Sequence, residues 1–345
     1  MTSPTKAEGS GSTVALDPEP ASTAEAAKPK ELVGRSPGQL MWIRFKRDRA
    51  GVVSACVVVF FFLIGLLAPV ISKLYGKDPY TVYADERPEL FDSAGVPLMP
   101  NGGISAEFWF GLEPGNGYDV FTKLIYGIRN SLGISLAVTV ATVLTGIVLG
   151  VAAGYLGGKV DFVVSRLVDF LLAFPAQLFF IASMPVVVSL FVDPKDETPV
   201  YVRVVALIAV QWFLGWMSLA RILRGTTLAL AGREFIEAAK VSGASPWRII
   251  RKEVLPNVVT PILVQSTYML PAFVTAEAGL SFLGVGIVEP TPDWGQMFSK
   301  ASTELVMQND ITYMFFPGIS MIIFIVAFNL LGDSVRDAFD PKTAR

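Results

Sequence analysis

Six long stretches of uncharged, mostly apolar residues dominate the chain, and charged or polar segments separate them. The hydrocarbon core of a bilayer is crossed by about 20 apolar residues in a helix. Each stretch is close to that length, so the pattern predicts an all-α polytopic membrane protein with six transmembrane helices. The stretches cover residues 50–72, 131–158, 170–192, 204–220, 254–276 and 311–332.

The third and fourth stretches are less regular than the others. We expect the third helix to begin near Phe162 and to carry Arg166 and Asp169 in its first turns. Those two charged side chains are spaced to form an ion pair on one helix face. The fourth stretch is short, and we expect its helix to continue past Arg221 into water.

Lysine and arginine residues in the connecting segments predict the orientation, because cytoplasmic segments carry an excess of them. Four lie between positions 44 and 49, before the first stretch, and seven lie in segment 221–253. The shorter loops on the other side hold only Lys195 and Lys300, with Arg203 at the edge of the fourth stretch. We therefore expect both termini and segment 221–253 to be cytoplasmic.

The same pattern divides the chain into five parts. The first 30 residues are rich in Ser, Thr, Pro, Ala, Glu and Lys and contain no large apolar cluster, which is typical of disorder. They do not resemble a signal peptide, because no apolar run follows the start. The predicted parts are a disordered cytoplasmic tail (1–40), an N-terminal segment with the first helix (41–72), an extracytoplasmic loop (73–128), a core of five transmembrane helices (129–335) and a cytoplasmic tail (336–345).

Composition excludes several kinds of chemistry. Hydrophobic residues make up 52 % of the 345 residues, charged residues make up 17 %, and the net charge of −2 disfavours a nucleic-acid partner. The chain has no histidine, and its single cysteine, Cys56, lies in an apolar run. Imidazole catalysis, an intrachain disulfide and a metal site built on cysteine or histidine are thereby excluded. Since no nucleophile–base set is evident, we expect a transport subunit and not an enzyme, with no metal site.

Segment 232–256 predicts two short helices joined by a tight turn. The first covers 233–241, and Gly243 can supply the positive φ that ends it. Ser245 is suited to cap the second helix. Pro256 restricts the residue before it and is expected to end the element.

Small side chains characterise the predicted outer face of the first of these helices. Ala238 and Ala239 lie beside Glu237, and methyl groups let another protein approach the helix backbone closely. The residues alone leave two interpretations open. The segment is either a docking surface for a partner or an amphipathic hairpin that lies on the membrane surface.

A family resemblance bears on this choice. Glu237-Ala238-Ala239, then Gly243, then Leu255-Pro256 resemble the EAA loop of the integral-membrane subunits of ABC importers. In that family the loop forms the coupling helix that docks on the cytoplasmic ATPase. Glu253 departs from the pattern, which usually has isoleucine there. The resemblance implies that the coupling residues are Glu237, Ala238, Ala239, Gly243, Ser245, Arg248, Leu255 and Pro256.

Further segments narrow the resemblance. Residues 117–131 are similar to the segment before the second span of the C-type permease subunit of dipeptide/oligopeptide importers, with Tyr118 in place of the usual arginine. Segments 280–284, 290–295 and 329–337 also look like that family. The resemblance therefore covers nearly the whole chain outside the N-terminal tail.

The resemblance implies a type I ABC-importer permease fold in the cell membrane of a prokaryote. It also implies three kinds of partner: a second homologous permease subunit, two ATP-binding subunits or domains, and an extracytoplasmic substrate-binding protein. No segment matches the phosphate-binding loop Gly-x-x-x-x-Gly-Lys-Ser/Thr. ATP and Mg²⁺ are therefore expected on the partner subunits, with no cofactor on this chain.

Two alternatives remain open at this point. The same architecture could import nickel complexes, glutathione or another small solute. A proton-coupled secondary transporter is a different class, and it would place a carboxylate near the middle of the membrane. Asp169 is the only candidate for that role, and it sits close to the cytoplasmic side.

Polar residues in the spans and outer loop give candidates for contacts with the transported solute and the binding protein. Those expected to line the pathway are Gln211, Gln265, Tyr268 and Glu277. Asp293 and Trp294 are expected to face the binding protein. Glycines also recur every four residues at 146, 150 and 154, a spacing that lets membrane helices pack closely.

Overall fold

The computed structural model describes residues 37–193 and 195–339. Within these ranges the chain is helical apart from turns, loops and two isolated β-bridges, which confirms the all-α prediction for this part. Residues 1–36 of the predicted N-terminal tail and 340–345 of the predicted C-terminal tail lie outside the described residues.

Long helices that could cross a bilayer alternate with shorter connecting ones. In chain order they are α1 (Pro37–Arg47), α2 (Arg49–Tyr75), α3 (Val120–Leu156), α4 (Gly158–Leu171), α5 (Ala176–Ser189), α6 (Val200–Ala231), α7 (Glu234–Val241), α8 (Pro246–Phe282, with a π-turn at Ile250–Val254), α9 (Trp294–Ala301), α10 (Glu304–Asn309) and α11 (Thr312–Phe339).

Five of the described helices, α2, α3, α6, α8 and α11, are long and apolar enough to cross a membrane on their own. The predicted third span differs, because α4 and α5 are bent against each other by 89°. The break ends at Pro175, the N-cap residue of α5. Proline has no N–H to donate and restricts the residue before it, so it interrupts the helix. The expectation of a continuous third helix is therefore wrong, because the third predicted span is a bent pair of helices.

Helices also extend beyond the uncharged stretches. Asp119 caps α3 by accepting a hydrogen bond from the Thr122 N–H at 2.8 Å. Residues 120–128, predicted as part of the outer loop, therefore belong to a helix. As expected, α6 continues past Arg221.

The row of glycines in α3 brings this helix against α6. A methyl group added to Gly150 would lie 2.6 Å from the carbonyl oxygen of Ala220. One added to Gly154 would lie 2.6 Å from the carbonyl oxygen of Arg224. Both distances are well below van der Waals contact, so glycine is required for this backbone approach. The predicted small-residue packing is confirmed.

The two ends of the helix bundle are built differently. One end carries α7 and the turn into α8, and we call it the hairpin end. Here the start of α2 meets the last turns of α11, where Gly51 lies against Ser334. The helix α7 lies at this end too, where α6 finishes. The other end carries the long segment between α2 and α3, and we call it the loop end. Here α2 and α3 meet through the rings of Tyr75 and Phe121, whose centroids are 5.3 Å apart.

The segment between α2 and α3 folds into a small cap at the loop end. Its short helical turns are Tyr83–Glu86, Pro88–Leu90 and Pro100–Gly103. Its buried apolar side chains are Tyr83, Phe91, Phe108 and Leu112. An ion pair between Arg87 and Glu107, 2.6 Å apart, lies on its surface. The predicted outer loop is thus a folded unit attached to the spans.

Candidate functional site

The predicted hairpin is present, and its turn has the expected backbone. Gly243 has φ of 78°, the left-handed conformation that favours glycine, so this prediction is confirmed. The Ala244 N–H donates to the carbonyl of Ala239 at 3.1 Å, which closes the turn. Ser245 then caps α8, because its hydroxyl accepts a hydrogen bond from the Arg248 N–H at 3.4 Å.

Two buried isoleucines hold the hairpin against the bundle. Ile236 of α7 and Ile249 of α8 are 0 % and 1 % exposed, and both belong to the main apolar core. Glu237 and Ala238 are exposed as expected, whereas Ala239 packs against the same core, contrary to the expectation that it lies on the outer face. The hairpin therefore has an inner face fixed to the spans and an outer face open to a partner.

Large apolar side chains also lie on that outer face. Val241, at the end of α7, is 90 % exposed, and Trp247, in the first turn of α8, is 69 % exposed. Trp247 and Val254 are seven residues apart and would share one face of a regular helix, yet Val254 is fully buried. The structure separates the two residues, and the buried face near the turn is formed by Ile249 instead.

The second helix of the hairpin does not end at Pro256, contrary to expectation. It passes through the π-turn and continues as the fifth predicted span. The regular α-helix after the π-turn starts at Leu255, and Pro256, which has no N–H to donate, lies where the hydrogen-bonding pattern of the helix changes. The side chain of Asn257 donates to the Glu253 carbonyl at 2.6 Å and satisfies it. The hairpin is thus rigidly continuous with a membrane span.

A groove of about 440 Å³ lies midway along the bundle, between the α4–α5 bend, α6 and α8. Gln265 and Tyr268, two of the four predicted pathway residues, line it. Gln177 and Ser218 add polar groups that the sequence interpretation did not assign to a pathway. Gln177 reaches the groove because the third span is bent, and Pro175 was the sequence signal for that bend, whereas Ser218 reaches it from α6.

The other two predicted pathway residues lie inside the bundle. Gln211 is fully buried, and neither atom of its amide has a hydrogen-bond partner in the described part of the chain. Glu277 is also fully buried and accepts a hydrogen bond from the Ser281 hydroxyl at 3.0 Å. Neither residue lines the groove, in contrast to the expectation.

The two residues expected to face a binding protein are also buried. Asp293 caps α9 by accepting from the Gln296 N–H at 2.5 Å, and it is 0 % exposed. Burial, followed by the nearby Glu277 carboxyl, raises the pKa of Asp293 well above its ordinary value. Trp294 is 0 % exposed, and its indole N–H donates to Ser320 at 2.9 Å. Their side chains pack inward, so the structure does not support a direct contact with a partner.

Charged pairs connect the bent third span to α6. Arg221 contacts Asp169 at 2.6 Å, and the Arg224 Nη2 contacts Asp161 at 2.8 Å. The expected pairing of Asp169 with Arg166 is replaced by this contact between α4 and α6. More than half of the Asp169 side chain is exposed.

A buried ion pair at the loop end was not predicted from the sequence. Lys123 of α3 contacts Glu113 of the cap at 2.6 Å, and both side chains are fully buried. The hydroxyl of Tyr313 in α11 donates to the same carboxylate at 2.8 Å. These contacts fasten the cap to two spans, and no local pattern in the sequence signals such a contact between distant segments.

Sequence comparison identifies the family. Residues 146–345 match the binding-protein-dependent transport system inner membrane component, and residues 36–92 match the N-terminal transmembrane domain of oligopeptide transport permease C. The chain belongs to this family of transport permeases. It is therefore a multi-pass subunit of an inner-membrane transport system.

Named relatives cover most of the chain. The dipeptide transport system permease protein DppC of Bacillus subtilis (strain 168) is 32 % identical, over 88 % of this chain and 85 % of that one. The oligopeptide transport system permease protein OppC of Escherichia coli (strain K12) is 36 % identical, over 90 % and 93 %. The glutathione transport system permease protein GsiD of Shigella flexneri serotype 5b (strain 8401) is 34 % identical, over 89 % and 91 %.

A solved structure confirms the fold. A chain of the MetNI methionine ABC transporter in an inward-facing conformation superposes with a TM-score of 0.51 at 19 % identity. The match covers 64 % of this chain and 97 % of that chain. The predicted fold class, that of an ABC-importer permease, is therefore confirmed.

Proposed function

We propose that this chain is the permease subunit of an ATP-driven importer of dipeptides or oligopeptides, and that it forms half of the translocation pathway. The hairpin carries the proposal. Its isoleucines Ile236 and Ile249 fix it to the spans, while Val241 and Trp247 face outward. A rigid element that exposes apolar side chains is suited to transmit movement from a partner to the bundle.

The partner at the hairpin is an ATPase subunit. A valine or tryptophan left in water stabilises nothing, whereas burying such a side chain in a groove contributes about 1.5–3 kcal/mol. Ala238, which follows Glu237 in the chain, is exposed and has only a methyl side chain, so a partner can approach the backbone of α7 closely. The resemblance to the EAA loop likewise assigns Glu237, Gly243, Ser245 and Arg248 to the contact with the ATPase.

The central groove supports the role of a half-pathway. Its lining residues on this chain come from the α4–α5 bend, α6 and α8, and a second, homologous permease would supply the opposite wall. Among the described residues no charged side chain lines it, and its polar groups are few. Such a lining suits solutes with variable side chains, as short peptides have.

The names of the relatives favour peptides as the solute. Two of them carry the words dipeptide and oligopeptide. Glutathione, itself a small peptide, is the second candidate, because a relative of similar identity carries that name.

A proton-coupled mechanism is less well supported than an ATP-driven one. Asp169, the carboxylate considered for such coupling, pairs with Arg221 and is largely exposed. In residues 37–193 and 195–339, no carboxylate lines the groove itself. A carboxylate that accepts and releases protons during transport would be expected on the pathway.

The remaining partners follow from this arrangement. Two ATP-binding subunits or domains would carry ATP and Mg²⁺ at the hairpin end, which would place that end and both termini in the cytoplasm of a prokaryotic cell. The substrate-binding protein would dock at the loop end. Since Asp293 and Trp294 are buried, exposed residues of the cap and outer turns would make that contact.

The test is substitution at Ala238, which is exposed and so separates docking from folding. In a complex reconstituted with its ATPase and binding protein, Ala238→Asp should abolish peptide uptake and peptide-stimulated ATP hydrolysis, while Ala238→Ser retains both. Burying an unpaired carboxylate costs several kcal/mol, whereas a coupling free energy is about 1–3 kcal/mol. Uptake by Ala238→Asp at the unmutated rate would refute the assignment of the hairpin.

A further inference from the structure

A second crevice lies between the central groove and the loop end. The end of α5, the start of α6 and the turn after α8 enclose about 530 Å³, a volume that suits a small ligand. Met184 lines it one helical turn beyond Phe180, which lines the groove. Arg203 lines it at about 16 Å along α6 from Leu214 of the groove, at the rise of ~1.5 Å per residue.

Arg203 is the one cationic side chain among the described residues that line this crevice. Its Nε–H is buried and has no hydrogen-bond partner within the part of the chain that the structure describes. Its Nη1 makes a long hydrogen bond of 3.4 Å to the carbonyl of Gly286. Asp193 and Asp196 line the same crevice, yet in the described part of the chain no carboxylate pairs with Arg203.

The position of Arg203 is unfavourable for a cation unless an anion joins it. It lies in the first turn of α6, where the helix already carries a partial positive charge. Lysine and arginine in the interhelical loops are concentrated at the hairpin end, whereas Arg203 lies at the opposite end. A buried N–H without a partner adds a further desolvation cost. The helix-dipole effect and the desolvation cost would both be relieved by one negatively charged ligand that pairs directly with Arg203, which neither Asp193 nor Asp196 does.

We propose that Arg203 receives the carboxylate of the transported peptide as it moves from the binding protein towards the groove. A guanidinium presents N–H groups in a fork that matches the two oxygens of a carboxylate. The crevice and the groove are both bordered by α5 and α6, which places the crevice on the route that we propose from the loop end to the groove. This inference rests on the proposed function, because it takes a peptide as the solute.

The test compares a peptide that has a free carboxylate with the same peptide as its C-terminal amide. Uptake is measured in proteoliposomes that hold the complete complex, with the unmutated binding protein saturated by either peptide. Arg203→Gln should reduce uptake of the free acid about tenfold, the loss expected for a charge-assisted hydrogen bond, and should leave uptake of the amide within about twofold. Arg203→Lys should restore part of the loss.

Two controls keep the outcome specific. Arg129→Gln removes an arginine of α3 that lines other crevices, and it should not change the ratio of acid to amide uptake. Acetylating the peptide's amino group should affect Arg203→Gln and the unmutated complex equally. An unchanged acid-to-amide ratio in Arg203→Gln would overturn the inference, and so would an equal loss for both peptides. Failure of the unmutated complex to transport any peptide would instead refute the proposed function.

Discussion

The hairpin and the α9 region both come from segments that resemble motifs of one family, yet they present their residues in opposite ways. At the hairpin, Trp247 is 69 % exposed, whereas Trp294 at the start of α9 is 0 % exposed. The hairpin motif supplies an outward surface, and the α9 motif supplies an inward anchor that holds α2, α8 and α11 together. A motif therefore identifies which residues matter without telling which way they face.

The largest expected effect is the difference in stability between alanine variants of the two tryptophans. Trp294→Ala should destabilise the subunit by about 3–5 kcal/mol, since a fully buried aromatic side chain is lost from a packed core. Trp247→Ala should leave stability nearly unchanged and reduce transport coupled to ATP hydrolysis. Thermal unfolding in detergent and uptake in proteoliposomes measure the two effects separately. The comparison fails if Trp247→Ala lowers the unfolding temperature as much as Trp294→Ala does.

A smaller effect is expected at two glycines of the hairpin. Gly243 has φ of 78°, whereas Gly232 has φ of −92°, and an added methyl group would meet nothing within 4 Å at either position. Gly243→Ala should cost about 1–2 kcal/mol through its left-handed backbone and should weaken the stimulation of ATP hydrolysis by substrate. Gly232→Ala is the matched control and should retain it. Equal stimulation in the two variants would show that the turn does not need its backbone conformation.

The smallest effect concerns Asp293 and its response to pH. Because burial and Glu277 raise the pKa of Asp293, the folded state favours the protonated acid. The stability that this proton provides is fully present below the ordinary pKa of 3.8 and is lost as the pH rises through the raised pKa. Asp293→Asn keeps the helix cap and mimics the neutral acid, so it should flatten the pH dependence of unfolding. A pH dependence identical to that of the unmutated subunit would contradict this account.

The sequence predicted those features that depend on local or periodic patterns. The spans followed from apolar length, the α3–α6 contact from the glycine spacing, and the hairpin turn from Gly243 and Ser245. Features that depend on how the elements are oriented in the tertiary structure were not predicted. The inward orientation of Trp294 requires knowing that α9 folds back against the spans, and the Lys123–Glu113 pair requires the cap to lie on α3.

The groove illustrates both cases. Gln265 and Tyr268 were predicted because polar residues are rare in spans, while the same argument misplaced Gln211, which lies inside the bundle. Rarity indicates a role but does not fix the face of the helix. Gln177 reaches the groove only because the third span is bent at Pro175, so its position depends on a break that hydropathy does not show.

The most direct test of the central claim asks whether the outer face of the hairpin is covered by the ATPase. In a Cys56→Ser background, Ala238→Cys is labelled with a membrane-impermeant maleimide in the solubilised subunit and in the assembled complex, with Ser302→Cys at the loop end as the exposed control. The account predicts that assembly with the ATPase protects position 238 strongly and leaves position 302 reactive. Equal labelling of position 238 with and without the ATPase would contradict it.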